Sequence, residues 1–210
     1  MRSTQFITNG YYHIYNRGVD KRPIFQRFGH YQRFLSTIRS ILNTGSATER
    51  LTYNQGQALK LKIEILAYCL MPNHYHFLIK QTSENGITEF MQKLATSYTM
   101  YFNLNNKRSG HLFERAFKAK VIEDDNSFLH ICRYIHLNPV IAHLVETPNQ
   151  WRWSSYNEYL NRESSICVTT EILSYFKTAA DFESFNHDQI AYALLLKASM
   201  KSQDEDTIFF

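Results

Sequence analysis

Residues 61–80, LKIEILAYCLMPNHYHFLIK, contain two apolar runs separated by Met71-Pro72-Asn73. In the first run apolar side chains alternate with Lys62 and Glu64, which is the period of a β-strand. The second run begins at His74 and is also rich in aromatic and β-branched residues. Two such strands joined by a tight turn predict a β-hairpin.

Further elements are predicted on both sides of this hairpin. Upstream, residues 11–16 form a short aromatic strand, and apolar residues recur at helical spacing over 31–42. Downstream we predict a helix over 87–104, a strand over 117–122 and a third helix that Asn126 or Ser127 caps. The order strand, helix, strand, strand, helix, strand, helix predicts an α+β fold with a ferredoxin-like antiparallel sheet and packed helices.

The charge is distributed unevenly along the 210 residues. Residues 1–157 hold 19 Lys and Arg against 10 Asp and Glu, whereas residues 158–210 hold 4 against 9. We therefore predict a body over 1–157 and an acidic, helical C-terminal extension over 158–210, with helices at 170–178 and 186–200. Basic patches attract polyanions. From charge alone, an ordinary solvated surface remains an equal alternative.

Composition excludes several classes of protein. The chain has 44% hydrophobic residues and only seven Gly and four Pro, which excludes disordered and collagen-like sequences. No apolar run is long enough to span a membrane, and the start MRSTQFITNG lacks the apolar core of a signal peptide. Three widely spaced Cys predict neither disulfides nor a thiolate zinc site. We expect a soluble, cytoplasmic protein with no membrane partner.

His74 and His76 are the first candidates for chemistry. They are two residues apart on a predicted strand, so both imidazoles project from one face of the sheet. Two neighbouring imidazoles are a good start for a divalent-metal site. For the pair alone, one surface histidine and one core histidine remain the alternative.

The sequence around this pair carries a resemblance to a known family. YCLMPNHYHFLI at 68–79 is followed by GHLFERAFKA at 110–119 and RYIHLNPV at 133–140. With YHIYNRG at 12–18 and WRWSSY at 151–156, these blocks resemble the single-tyrosine HUH transposases of the IS200/IS605 type (Y1 transposase family), and among them the REP-associated tyrosine transposases. The resemblance covers the chain from about residue 11 to 156.

The resemblance implies a metal-dependent endonuclease and strand transferase that acts on single-stranded, hairpin-forming DNA of palindromic repeats through a 5′-phosphotyrosine intermediate. It implies Tyr134 as the nucleophile and His74, His76 and Asn138 as ligands of Mg²⁺ or Mn²⁺. Asn138 follows Tyr134 by four residues and so shares its helical face. Pro139 is expected to close or kink this helix, which weighs against the ligand role of Asn138. Tyr134 is expected at the flank of the helix, beside the core.

Basic residues near these blocks are candidate DNA contacts, and the partner is single-stranded or hairpin DNA. The candidates are Arg17, Lys21, Arg22, Arg115, Lys118 and Lys120. Tyr12, His13 and Tyr15 could stack on unpaired bases, although core packing explains them equally well. The protein is expected to act as a monomer or a homodimer.

Two other functions remain open at this point. One is a non-catalytic regulator that binds hairpin DNA on the same scaffold. The other is a metal-dependent phosphoesterase that uses water and therefore needs the histidines but not Tyr134. The sequence alone also leaves open whether the protein mobilises its own element or processes repeats of the host.

Overall fold

The computed structural model describes residues 4–44, 62–161 and 166–199. The polar loop predicted around 46–60 and the end of the acidic extension lie outside these residues. Within them, none of the helices is both long enough and apolar enough to cross a membrane.

Four antiparallel strands form one sheet. They are β1 (Tyr11–Arg17), β2 (Ile63–Met71), β3 (His74–Gln81) and β4 (Lys118–Ile122). Their order across the sheet is β2-β3-β1-β4, so the first and third strands lie side by side in the centre. With the two helices that connect them, this is the ferredoxin-like α+β arrangement predicted from the sequence.

The connecting helices α1 (Phe28–Thr44) and α2 (Gly86–Asn105) cover one face of the sheet. The side chains of Tyr12 and Phe77 point into this layer and are fully buried there. Burying an aromatic side chain of this size contributes about 1.5–3 kcal/mol. The α1–α2 layer is therefore the main apolar core of the protein.

The third helix, α3 (Asp125–Ile141), covers the other face of the sheet. Its N-cap is Asp124, whose carboxylate accepts the backbone N–H of Ser127 at 2.9 Å, so the predicted capping by Asn126 or Ser127 was wrong by two or three residues. The helix also continues through Pro139 to Ile141 instead of closing there. A proline this close to the end of a helix removes only one of the last backbone hydrogen bonds.

The C-terminal part packs against α3 and against β2. It contains α4 (Tyr156–Asn161), α5 (Thr170–Leu173), α6 (Ala179–His187) and α7 (Ile190–Ser199). Of the helix predicted over 170–178, only Thr170–Leu173 is helical, and a capping box of Thr178 and Asp181 starts a separate helix at Ala179. Phe182 packs into the same cluster as the inner face of α3. The division of the chain after residue 157 stays a prediction.

Candidate active site

Strand register gathers polar side chains on the α3 face of the sheet. Opposite residues of an antiparallel pair project to the same face. Tyr15 lies opposite His76 on β3, and Lys120 on β4 lies opposite His13. Strands β1, β3 and β4 thus present imidazoles, a phenol and an ammonium to one helix.

The two histidines predicted from sequence are neighbours on β3. Their ring centroids are 4.9 Å apart and the ring planes are nearly perpendicular. His74 is half-buried and its Nδ1 lies 2.6 Å from Oδ1 of Asn73. His76 is only 1% exposed, directly beneath α3. One imidazole therefore faces the edge of the site while the other forms its floor.

Tyr134 on α3 completes this group. Its ring centroid lies 5.4 Å from that of His76 and 5.9 Å from that of His13, with edge-on geometry in both pairs. The side chain is 6% exposed, so it lies among the histidines and not at the flank of the helix as expected. The structure brings Tyr134, His74 and His76 together from elements about 60 residues apart in sequence.

Sequence reasoning missed the position of His13. Its Nε2 lies 2.9 Å from Nδ1 of His76, and both side chains are 1% exposed. Tyr12 is fully buried as well, so neither Tyr12 nor His13 offers a face for base stacking, and of the two alternatives core packing applies to both. The predicted fold could have indicated that His13 lies near His76, because a ferredoxin-like sheet places the first strand beside the third.

The electrostatics of the floor favour a neutral imidazole. Burial holds the pKa of His76 well below its ordinary value, and the charges of His74 and His13 act in the same direction. Its Nε2 is buried and has no hydrogen-bond partner among the described residues. A neutral imidazole whose second nitrogen has no partner is the form in which histidine binds metals.

Asn138 lies one helical turn after Tyr134 and is 8% exposed. Its amide nitrogen donates to the carbonyl oxygen of Tyr134 at 2.8 Å, so Oδ1 is the atom left to face a cation. In residues 4–44, 62–161 and 166–199, no three His, Cys, Asp or Glu side chains are grouped to hold a metal ion. The proposed set of His74, His76 and Asn138 has only two residues of these four types, so it is compatible with this result.

The two histidines of α3 have partners away from Tyr134. Nε2 of His136 lies 2.8 Å from Oγ of Ser155, and burial lowers its pKa to about 3. His130 contacts the guanidinium of Arg133, and burial is the main cause of its lowered pKa. Both side chains are engaged with neighbours outside the group around Tyr134.

Three loops meet at the end of the sheet where His74 lies. Gly18 N–H donates to the carbonyl of Asn73 at 2.8 Å, and Val19 N–H donates to that of Leu112 at 3.0 Å. A Cβ at Gly18 would lie 2.3 Å from the Arg22 carbonyl oxygen, so this turn requires glycine. The segments that carry the predicted DNA contacts are therefore adjacent in space.

The six basic residues differ in how they are held. Arg17 lies opposite His74 and pairs with Glu114 at 2.9 Å. Arg22 pairs with Asp20 at 3.2 Å. The Nζ of Lys118 lies 5.4 Å from the centre of the Tyr15 ring. The remaining three are an exposed Lys21, an exposed Arg115 and a half-buried Lys120 whose pKa burial lowers.

Comparison with known proteins gives consistent results. A family model described as "Transposase IS200 like" matches residues 30–138, more than half of the chain. A REP-associated tyrosine transposase of Haemophilus influenzae is 30% identical over 112 residues, which are 48% of this chain and 62% of that protein. A solved REP-associated tyrosine transposase bound to a REP hairpin aligns with a TM-score of 0.59 at 15% identity, over 77% of this chain and 86% of the other. This last likeness concerns the fold.

Proposed function

Because the chain belongs to the IS200-like transposase family, we propose that it cuts and rejoins single-stranded DNA at hairpins through a covalent bond to Tyr134. The enzyme class is a transposase-type endonuclease and strand transferase. The proposed substrate is hairpin DNA of palindromic repeats, in keeping with the REP hairpin bound by the solved relative. The proposed location of the reaction is the cytoplasm, as expected from the sequence.

The observation that carries this proposal is the contact between Tyr134 and His76. A nuclease that activates water needs the two histidines but gains nothing from a tyrosine ring 5.4 Å from one of them. A regulator that only binds DNA needs neither. The arrangement is the one expected when a phenol attacks a phosphate held beside the imidazoles.

His74, His76 and Asn138 are proposed to hold Mg²⁺ or Mn²⁺. The buried Nε2 of His76 has no hydrogen-bond partner in the described part of the chain. This nitrogen and Oδ1 of Asn138 fit a cation that accepts both nitrogen and oxygen ligands. When bound, such an ion withdraws electron density from the scissile phosphate and stabilises the oxygen that leaves. The three side chains fix where that phosphate lies relative to Tyr134.

The reaction follows from the chemistry of a phenol. Tyr134 Oη attacks the phosphorus and loses its proton to solvent, the bond from phosphorus to the 3′ oxygen breaks, and that oxygen takes up a proton from solvent and leaves as a 3′-OH. In the second step another 3′-OH attacks the phosphotyrosine and loses its proton to solvent, the bond from phosphorus to Tyr134 Oη breaks, and the tyrosine oxygen takes up a proton from solvent. Each step exchanges one phosphodiester for another, so joining requires no ATP.

The basic residues are proposed to hold the DNA backbone around this centre. Lys118 and Lys120 lie on the same face as His13 and Tyr15, and Arg17 lies opposite His74. Ammonium and guanidinium groups at this edge would neutralise the phosphates that flank the scissile one. Because one chain supplies both histidines and the tyrosine, the site needs no second copy, which favours the monomer over the homodimer.

Tyr134→Phe tests the proposal directly. Purified protein is incubated with Mn²⁺ and labelled single-stranded hairpins, and the products are separated on a denaturing gel. We expect a protein-linked DNA band that Tyr134→Phe abolishes and that the control Tyr101→Phe, on the α1–α2 side, retains. Cleavage that survives in Tyr134→Phe would indicate the water-using phosphoesterase. Binding without any cleavage by the wild type would indicate the regulator.

A further inference from the structure

We propose that His13 is a positioning residue that fixes the ring orientation and proton position of His76, so that Nε2 of His76 faces the divalent cation. This inference rests on the metal site of the proposed function. It assigns a role to a histidine on a different strand, 63 residues away in sequence. His13 itself is not a ligand in this proposal.

The two rings are held by the sheet. His13 on β1 lies opposite Leu78, and His76 lies opposite Tyr15, so the histidines are diagonal neighbours on adjacent strands. Their rings are nearly parallel, at an interplanar angle of 17°, with centroids 5.1 Å apart. Both backbones are fixed by ladder hydrogen bonds, so the 2.9 Å contact between Nε2 and Nδ1 is built into the fold.

A proton count determines the tautomers. A neutral imidazole carries one N–H, and the other nitrogen offers a lone pair. For Nε2 of His76 to bind a cation, the ring proton of His76 must reside on Nδ1. That N–H then donates to Nε2 of His13, which must be the acceptor. A hydrogen bond from the remote nitrogen of a metal-binding histidine fixes its tautomer and raises its basicity.

The surroundings of His13 hold its own ring in place. The ring stacks on Tyr15 with centroids 4.9 Å apart and meets the edge of Tyr134 at 5.9 Å. His13 therefore touches the floor of the metal site and the nucleophile at once. Movement of this ring would change the orientation of His76 relative to Tyr134.

The test compares two substitutions at one position. His13→Phe keeps a ring of similar size but removes the acceptor, whereas His13→Gln retains an acceptor in its Oε1. Mn²⁺ affinity of the full chain is measured without DNA, by electron paramagnetic resonance of the free ion. We expect a 10- to 100-fold weaker affinity for His13→Phe and a change of only a few-fold for His13→Gln.

His30→Phe is the matched control, since His30 is a fully buried histidine on the opposite layer, in α1. It should bind Mn²⁺ like the wild type, and circular dichroism of each variant checks that it is folded. Wild-type affinity in a folded His13→Phe variant would overturn the positioning role, as would equal losses in both His13 variants.

The experiment also separates this inference from the proposed function. In one outcome the wild type forms the protein-linked DNA band and binds Mn²⁺, and His13→Phe binds Mn²⁺ equally well. This outcome would support the transferase and contradict only the role of His13. A wild type that binds no Mn²⁺ would overturn the metal site and, with it, the positioning role.

Discussion

The two faces of the central sheet are built from the same strands, and both bury apolar residues, but only the α3 face also buries imidazoles from β1 and β3. Toward α1 and α2, β1 and β3 present Tyr12, Ile14 and Phe77. Toward α3 they present His13 and His76, both buried. Burying imidazoles is unfavourable because they lose hydrogen bonds to water, whereas burying aromatic rings is favourable and offsets this cost. The α1–α2 face thus forms the larger apolar core, whereas the α3 face combines a smaller apolar cluster with groups suited to chemistry.

If the α3 face were the main source of stability, this division of roles between the two faces would be wrong. His74→Ala tests this, because the side chain is half-buried at the edge of the site. Loss of a metal ligand should slow formation of the protein-linked DNA by about 10³-fold. A metal ion lowers the activation free energy by several kcal/mol, and each increase of about 1.4 kcal/mol in that free energy slows a reaction tenfold. The free energy of unfolding should change by less than about 1 kcal/mol. Gel kinetics and urea titration measure the two quantities.

A His74→Ala variant that reacts within tenfold of the wild type would contradict the assignment of this face to catalysis. Tyr101→Phe is a suitable control, because Tyr101 lies on α2 in the other layer.

Phe77→Ala probes the apolar face in the opposite sense. The ring is fully buried between Phe34 and Tyr75, with centroid distances of 6.4 and 5.1 Å. We expect a loss of about 3–5 kcal/mol in the free energy of unfolding, measured by urea titration, because the truncation leaves a cavity. The control is Val121→Ala, because the Val121 side chain is 46% exposed, and it should change the free energy of unfolding by less than about 0.5 kcal/mol. Equal effects of the two variants would refute this role of Phe77.

Much of the fold could be predicted because local patterns determine it. Alternation over the strands and helical spacing over the first three helices gave their order, and that order specifies the ferredoxin-like sheet. The ends were less predictable. Asp124 and Thr178 start helices through side-chain caps, and a cap depends on a hydrogen bond that periodicity does not encode.

The candidate site was predictable only in part, for a related reason. His74 and His76 share a strand, so their spacing alone places them on one face. The contact of His13 with His76 depends on the register between β1 and β3, which is a tertiary property. The burial of Tyr134 depends in turn on how α3 lies across those strands. The resemblance to the transposase family identified Tyr134 as a candidate. Neither spacing nor composition predicted that its side chain would lie among the histidines.

A change of pH tests the contribution of one buried histidine of the α1–α2 layer, His30. Burial, aided by the charge of Arg27, lowers the pKa of this histidine in the folded protein. The unfolded chain therefore binds more protons below about pH 6.5, and stability falls as the pH decreases through that value toward the folded pKa, by at most about 1.4 kcal/mol per pH unit for one group.

His30→Gln removes this titration without adding charge. Urea titrations at pH 7, 6 and 5 should show that the wild type loses stability faster than the variant as the pH falls. Parallel loss in both proteins would mean that His30 does not contribute and that the pH sensitivity lies elsewhere in the fold.

The smallest expected effect concerns single cations on the two faces. Lys118 on β4 projects to the same face as Tyr15, whereas Lys93 is exposed on α2 in the other layer. If DNA lies along the α3 face, Lys118→Ala should weaken hairpin binding several-fold and reduce the slope of log K against log salt concentration by about 0.7, the value for one phosphate of a single strand. Lys93→Ala should leave both quantities unchanged.

Fluorescence anisotropy at several salt concentrations measures the hairpin affinity and its salt dependence. A slope altered equally by both variants would place the DNA on neither face in particular. A slope altered by Lys93→Ala alone would move the DNA to the α1–α2 layer, away from Tyr134, and would reverse the division of roles between the two faces.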